Sequence, residues 1–197
     1  MMVKNARLSF PSLFRATSFQ PDHPKKFSAT FVVEKDTEQH KALKQEMLRV
    51  AEEKWPGKGK DVLKQLKAQG KLAVRDGAEK GQMDGFGDSV VFFNASTDKR
   101  PGVFDKGRNP VSEEDGLIYP GCYVNAQVEF WCQDNQYGKR INAQLRGVQF
   151  AGDGDPLGGG GPPATAEDFP ELEDEDDFGG SGGDPVSAGD DLDDDWD

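Results

Sequence analysis

Between residues 122 and 133 the chain alternates with a period of two. Cys122, Val124, Ala126, Val128, Phe130 and Cys132 fall on one side, and Tyr123, Asn125, Gln127, Glu129, Trp131 and Gln133 on the other. Alternation over this length is the mark of a β-strand with one buried and one wet face. Asp134-Asn135-Gln136-Tyr137-Gly138 then has turn chemistry. The return strand puts Ile141, Ala143 and Leu145 inward and Arg140, Asn142, Gln144 and Arg146 outward. Its phase slips near Gly147, because Val148 and Phe150 resume the apolar series, which predicts a β-bulge there.

Three further segments read as strands. Residues 4–10 set Ala6, Leu8 and Phe10 against Asn5, Arg7 and Ser9, which assigns Phe10 to the core. Residues 27–33 place Phe27, Ala29, Phe31 and Val33 on one side. Residues 89–95 contain Val90-Val91-Phe92-Phe93, apolar on both faces as in a central strand. A helical insert separates the last two. Asp36 or Thr37 caps it, Ala42, Leu43, Met47, Val50 and Ala51 follow at helical spacing, and Trp55-Pro56-Gly57 stops it. A second short helix covers residues 61–68. Both helices mix Lys with Glu, as a solvated outer face does. This order predicts a mainly β fold: a five-stranded Greek-key β-barrel of OB-fold type with a helical insertion. Periodicity alone leaves another small α+β fold open.

Charge divides the chain. Residues 151–197 hold 17 of the 36 Asp and Glu and none of the 24 Lys and Arg, so residues 1–150 carry 24 basic against 19 acidic groups, a net of +5. The acidic stretch also has 11 Gly and cannot bury enough apolar area to offset its ordering entropy. The expected organisation is a folded domain over 1–150 and a disordered, Gly-rich acidic tail over 151–197. A basic body tethered to a polyanion points to a partner that carries phosphates. No apolar run approaches the roughly 20 residues of a membrane span, and the N-terminus lacks a signal-peptide run, so an intracellular, soluble protein without membrane contact is expected.

Enzyme chemistry finds little to work with. Cys122 and Cys132, the two cysteines, lie roughly 33 Å apart on one extended strand and cannot pair, which suits a reducing compartment. His23 and His40 lie in polar contexts without ligand spacing, so neither a metal nor a cofactor is expected. The stretch 102–109 has the Gly spacing of a phosphate loop but lacks its Lys-Ser/Thr pair. Asp84, Asp88, Asp98 and Asp105 could together serve a magnesium-dependent nuclease, though scattered loop aspartates are ordinarily turn formers. A second rival is an acidic DNA mimic that occupies a host nucleic-acid-binding protein; the basic body argues against it.

Binding chemistry is better supplied. The outward hairpin face presents Tyr123 and Trp131 beside Arg140, Asn142, Gln144 and Arg146. Aromatic rings stack on unpaired bases at roughly 1–3 kcal/mol per base whatever the sequence, and basic side chains follow the phosphates. Lys99, Arg100, Phe104, Lys106 and Arg108 form a second cluster, and Arg7 and Arg15 beside Phe10 and Phe14 a third. The candidate binding set is Arg7, Lys99, Arg100, Phe104, Lys106, Tyr123, Trp131, Tyr137, Lys139, Arg140 and Arg146. The tail's coil dimension of roughly 35–40 Å lets it reach across its own domain and compete for a basic groove. Its tip, Leu192, Asp193, Asp194, Asp195, Trp196 and Asp197, is a short acidic-aromatic element suited to capture by a partner.

Several stretches resemble one family. Residues 116–126 (GLIYPGCYVNA), then Phe130-Trp131 and Asn135-x-Tyr137-Gly138-Lys139, are similar to a bacteriophage single-stranded DNA-binding family long known only as a domain of unknown function. Phe92-Phe93-Asn94-Ala95-Ser96, Lys99-Arg100-Pro101 and Asn5-Ala6-Arg7-Leu8-Ser9-Phe10 carry the same likeness over most of residues 1–154. The layout is similar to that of the T7-type single-stranded DNA-binding protein, an OB-fold body with an acidic tail ending in an aromatic; here Trp196 is penultimate. The resemblance implies single-stranded DNA as partner, with double-stranded DNA or RNA held more weakly. It further implies roles in replication, recombination and repair in the host cytoplasm, and phage or host replication proteins as partners of the tail. A homodimer is compatible with the sequence and not dictated by it.

Overall fold

The computed structural model describes residues 1–18 and 20–158. Of the tail expected over 151–197, residues 151–158 are described, and 151 and 152 belong to the last strand; residues 159–197, with the tip Leu192 to Asp197, lie outside the described residues. Seven strands and two helices run in the order β1 (Met2–Thr17), β2 (Lys26–Glu34), α1 (Glu38–Lys54), α2 (Gly59–Ala68), β3 (Val74–Asp76), β4 (Val90–Thr97), β5 (Gly102–Phe104), β6 (Tyr123–Asn135) and β7 (Gly138–Gly152). A 3₁₀ turn, Gly77–Lys80, follows β3. No described helix is long and apolar enough to cross a membrane.

The long strands form a ring. β1 pairs antiparallel with β2 and β6, β2 with β4, and β6 with β7. One parallel bridge, Ser96↔Gln144, joins β4 to β7 and closes the circuit. β3 takes up the first half of β4 and β5 the last part of β7, so little edge is left between them. This connectivity is that of an OB-type barrel, with both helices inserted between its second and third strands.

Alternation along each strand fills the interior. Leu8, Phe31, Phe93, Val124, Val128, Ile141 and Leu145 are each at most 1% exposed. Phe31 stacks on Phe93 with centroids 5.2 Å apart, and Phe93 meets Phe130 at 5.6 Å. Each such side chain contributes roughly 1.5–3 kcal/mol by leaving water. α1 closes one end with Leu43, Met47, Val50 and Ala51 buried. Its N-cap is Thr37, whose Oγ1 accepts from the His40 N–H at 3.2 Å. Its C-cap Trp55 donates from Nε1 to Asp134 on β6 at 2.7 Å.

Three expectations need correction. Phe10 is not core: it is 54% exposed, while Ser9 beside it is buried. The register of β1 shifts between Val3 and Ala6 and again between Ser9 and Ser12, with left-handed φ at Asn5 (52°) and Phe10 (47°). One extra residue at a bulge turns the following side chains to the opposite face. His40 is more enclosed than its polar sequence context suggests: it is 5% exposed, with Lys44 and Asp36 near it, and its Nδ1 accepts from the Asp36 N–H at 3.0 Å. The second helix starts at Gly59, ahead of the expected Asp61. The hairpin matches its reading, including the slip: Gln127 pairs with Gly147 and Val128 with Leu145, so Arg146 is the extra residue.

Cys122 is buried and Cys132 half-buried; neither forms a disulfide. Among the described residues, no three His, Cys, Asp or Glu converge on a metal-holding geometry. Asp98 instead pairs with Lys26 at 3.3 Å, and Asp105 accepts from the Asn109 backbone at 2.7 Å.

Residues 153–158 follow β7 as a strap across the barrel. Leu157 N–H donates to the Pro120 carbonyl at 2.9 Å, and Arg7 donates to the Asp155 carbonyl at 2.8 Å. Tyr119 donates from its hydroxyl towards Asp153 at 3.1 Å and accepts there from the Gly154 N–H at 3.1 Å.

Candidate nucleic-acid interface

The outer faces of β2, β4 and β7 differ in chemistry from the interior. Alternation sends Thr30, Asn94, Ser96, Asn142 and Gln144 outward, a row of hydroxyls and amides across three strands. Thr30 Oγ1 donates to Asn94 Oδ1 at 2.7 Å across the β2–β4 pair, which holds this polar floor in register. Such groups accept or donate hydrogen bonds without committing to one base.

Two hollows lie along this floor. The first, about 710 Å³, is lined by Trp131, Gln133, Arg140, Asn142 and Gln144 of the hairpin, by Lys71, whose carbonyl accepts from the Ile141 N–H at 3.1 Å, and by Arg75 and Lys26. The second, about 720 Å³, runs past Ser28, Thr30 and residues of the β1–β2 connection to Phe10, Lys80 and Met83. Lys26, Asn94 and Ser96 line both, so the two form one groove. In an OB barrel this is the face of the second and third strands, between the first hairpin loop and the last.

The groove is cationic. Lys26, Lys71, Arg75, Lys80 and Arg140 line it against one carboxylate, Asp98. Asp98 is matched by Lys26, and Arg75 by Glu79 at 3.3 Å. Among the described residues, Lys71, Lys80 and Arg140 have no carboxylate partner within ion-pair distance. Trp131, paired with Asn142 on β7, is 43% exposed and offers a ring face at the hairpin end. Phe92 points outward from β4 yet is fully buried, because Arg75, Lys80 and Phe86 cover it.

The candidate residues read from the sequence fall in several places. Trp131 and Arg140 line the groove. Lys99 and Arg100 follow Thr97 and Asp98 at its rim, with the Arg100 guanidinium 5.8 Å from the Phe14 ring. Tyr137 stands 79% exposed at the hairpin tip, and the Lys139 ammonium lies 5.1 Å from the Trp55 ring. Arg7 and Tyr123 share a different hollow beside Lys4 and Thr37. Tyr123 sits eight residues from Trp131, roughly 26 Å of strand, so the two rings do not serve one spot. Phe104 lines another hollow with Met2 and Arg108, and Lys106 lies 5.5 Å from the Phe150 ring. Arg146, the extra residue of the bulge, is ion-paired with Glu129.

Sequence reasoning missed Lys26, Lys71, Arg75, Lys80 and Phe10. Lys26 opens β2, Lys71 and Lys80 lie in connections, and Arg75 is the middle of a three-residue strand too short for periodicity to mark direction. Phe10 was hidden by the bulge.

The chain matches the family described as Enterobacter phage Enc34, ssDNA-binding protein, over residues 1–179. It is 38% identical over 175 residues to putative protein p50 of Acyrthosiphon pisum secondary endosymbiont phage 1, covering 86% of this chain and 92% of that protein. Among solved structures it is similar to the single-stranded DNA-binding protein from bacteriophage Enc34 in complex with ssDNA. That likeness has a TM-score of 0.67 and 28% identity, over 80% of this chain and 88% of the other. It also shares a fold with gp2.5, a single-stranded DNA-binding protein encoded by bacteriophage T7. There the TM-score is 0.51 at 12% identity, over 92% and 96% of the two chains.

Proposed function

The chain belongs to the Enterobacter phage Enc34 ssDNA-binding protein family, and on that premise we propose that it binds single-stranded DNA without sequence preference along the β2–β4–β7 groove. The observation that carries this reading is the groove's composition: an exposed tryptophan, a floor of amides and hydroxyls, and five cations of which three, Lys71, Lys80 and Arg140, pair with no carboxylate of the described residues. A base stacks on Trp131 while Arg140, Lys71 and Lys26 meet successive phosphates. Asn94, Ser96, Asn142 and Gln144 hydrogen-bond whichever edge or sugar is offered. Lys99, Arg100, Tyr137 and Lys139 lengthen the path at the rim. The protein holds the strand and performs no bond chemistry on it.

In this reading the protein is phage-encoded, works in the host cytoplasm and protects single strands during replication, recombination and repair. The acidic segment competes for the groove as a phosphate mimic. Displaced by DNA, its tip from Leu192 to Asp197 becomes available to replication proteins. Double-stranded DNA and RNA bind more weakly: a closed duplex hides the ring faces that stack, and a 2′-hydroxyl adds bulk along the floor.

Fluorescence anisotropy with a labelled oligothymidylate at two salt concentrations tests both parts. The full chain is expected to bind with a steep salt dependence, and a chain ending at Gly158 to bind more tightly. That cut keeps all of β7 and the strap, whereas a cut at residue 150 would remove the strap and the last two residues of β7. No binding by the shortened chain in dilute buffer refutes the proposal; equal affinities refute tail competition alone.

A further inference from the structure

Phe10 leaves the core at a cost. Its φ of 47° is a left-handed conformation that a bulky residue adopts only when its surroundings impose it, and the ring ends 54% exposed. Phe86 lies beside it with centroids 6.4 Å apart, and Phe86 meets Phe92 edge-on at 5.4 Å. The ammonium of Lys80 sits over all three rings, 5.0 Å from Phe10, 5.1 Å from Phe86 and 4.9 Å from Phe92. Aromatic faces hold a cation in place but do not neutralise it. Partial burial among them pushes the Lys80 pKa down, so the ammonium is incompletely solvated as well as unmatched by a carboxylate among the described residues. An exposed ring beside a fixed, under-solvated cation is the pairing that a nucleotide satisfies: base on the ring, phosphate on the charge.

We infer that Phe10 and Lys80 form a second nucleotide-binding step at the far end of the groove, taking a base on the Phe10 ring and its phosphate on the Lys80 ammonium. The inference rests on the proposed single-stranded DNA function and extends it. The two hollows are continuous through Asn94 and Ser96. From Trp131 on β6 the path crosses β7, β4 and β2 to reach Phe10 on β1, four inter-strand steps or roughly 19 Å. One strand of DNA therefore runs across the barrel with a ring at each end, and Phe10 with Lys80 sets how many nucleotides one molecule covers.

The test is anisotropy with the full-length chain and labelled oligothymidylates of about 4 and about 16 nucleotides, the limits found per OB domain. On the longer probe, Phe10→Ala is expected to weaken binding roughly 5- to 150-fold, with an unchanged salt slope. Phe10→Trp should restore it, which separates stacking from a fold defect. Lys80→Gln should lower the slope of log K against log salt by about 0.7, the increment for one single-strand phosphate. On the shorter probe, already served at Trp131, Phe10→Ala should have the smaller effect. A wild-type chain that binds the long probe while both variants match it overturns this step and leaves the general function standing. Tighter binding by Phe10→Ala also overturns it, because the ring would then be holding the chain's own acidic segment. A wild-type chain that binds neither probe refutes the function and this step together.

Discussion

Gly121 passes so closely beneath Asp155 that a Cβ on it would lie 2.1 Å from the Asp155 carbonyl oxygen. Its φ of +110° is also one that L side chains rarely adopt. Gly121→Ala is therefore expected to lift the strap of residues 153–158 and to destabilise the fold by about 1–3 kcal/mol. Urea unfolding reads this as a lowered midpoint, and a midpoint equal to that of wild type would show that the strap adds nothing to stability.

The separation of Tyr123 from Trp131 makes a second prediction. Trp131→Ala should weaken single-stranded DNA binding by roughly 1–3 kcal/mol with the fold intact. Tyr123→Ala should cost binding less and stability more, since its ring packs where a Gly154 side chain would have to go, with Cε2 2.9 Å from that position. Matched titrations and melting curves for the two variants decide it; equal binding losses would require the DNA path to pass Tyr123 as well.

Stability should depend on pH through His40. Burial, reinforced by Lys44, holds its pKa below the ordinary 6.5 despite the opposing pull of Asp36. Its Nδ1 also accepts a hydrogen bond, which only the neutral ring can do at that atom. The unfolded chain therefore binds the proton more tightly than the folded one. Stability is fully present above pH 6.5 and is lost as pH falls from there through the depressed folded value. Melting temperatures of wild type and His40→Gln between pH 7.5 and 5 should diverge on the acid side. Parallel decline would assign the loss to other groups.

Asp134→Ala should leave the Trp55 indole N–H without its acceptor, in a side chain that is 9% exposed. A loss of about 1–3 kcal/mol in folding stability is expected, with DNA affinity little changed, because neither residue lines the groove. Denaturant titration and anisotropy on the same variant separate the two effects.

Regular alternation made the scaffold legible. The hairpin could be read residue by residue, down to its slip at Gly147, because each inward side chain from Val124 to Leu145 is apolar and each break in phase is local. The Asp36-Thr37 cap pair, of which Thr37 is the cap in the structure, and the Trp55-Pro56-Gly57 stop bracketed α1 for the same reason: local chemistry decides both ends. Phe10 defeated the reading because alternation carries straight through it; Pro11, which has no N–H for the ladder, is the local mark of the register shift between Ser9 and Ser12. Phe92 read as a buried position on a two-sided apolar strand, which it is, but its cover is Arg75, Lys80 and Phe86 rather than a second layer of apolar side chains. The groove itself was beyond reach. Lys26, Lys71 and Arg75 meet Trp131, and Lys80 meets Phe10, only after the ring closes, and spacing along a chain carries no record of that.

The ring closes through a single stitch, Ser96 to Gln144, in the groove floor. Every other seam among the five long strands has several rungs. Breathing of the empty barrel should therefore concentrate there, and amide hydrogens beside that stitch should exchange fastest among the strand interiors. A nucleotide chain laid across it would act as a splint, bound only when the hoop is shut and raising the melting temperature by mass action. Loading and closing would then be one event, and the weakest join in the scaffold would report whether the protein carries cargo.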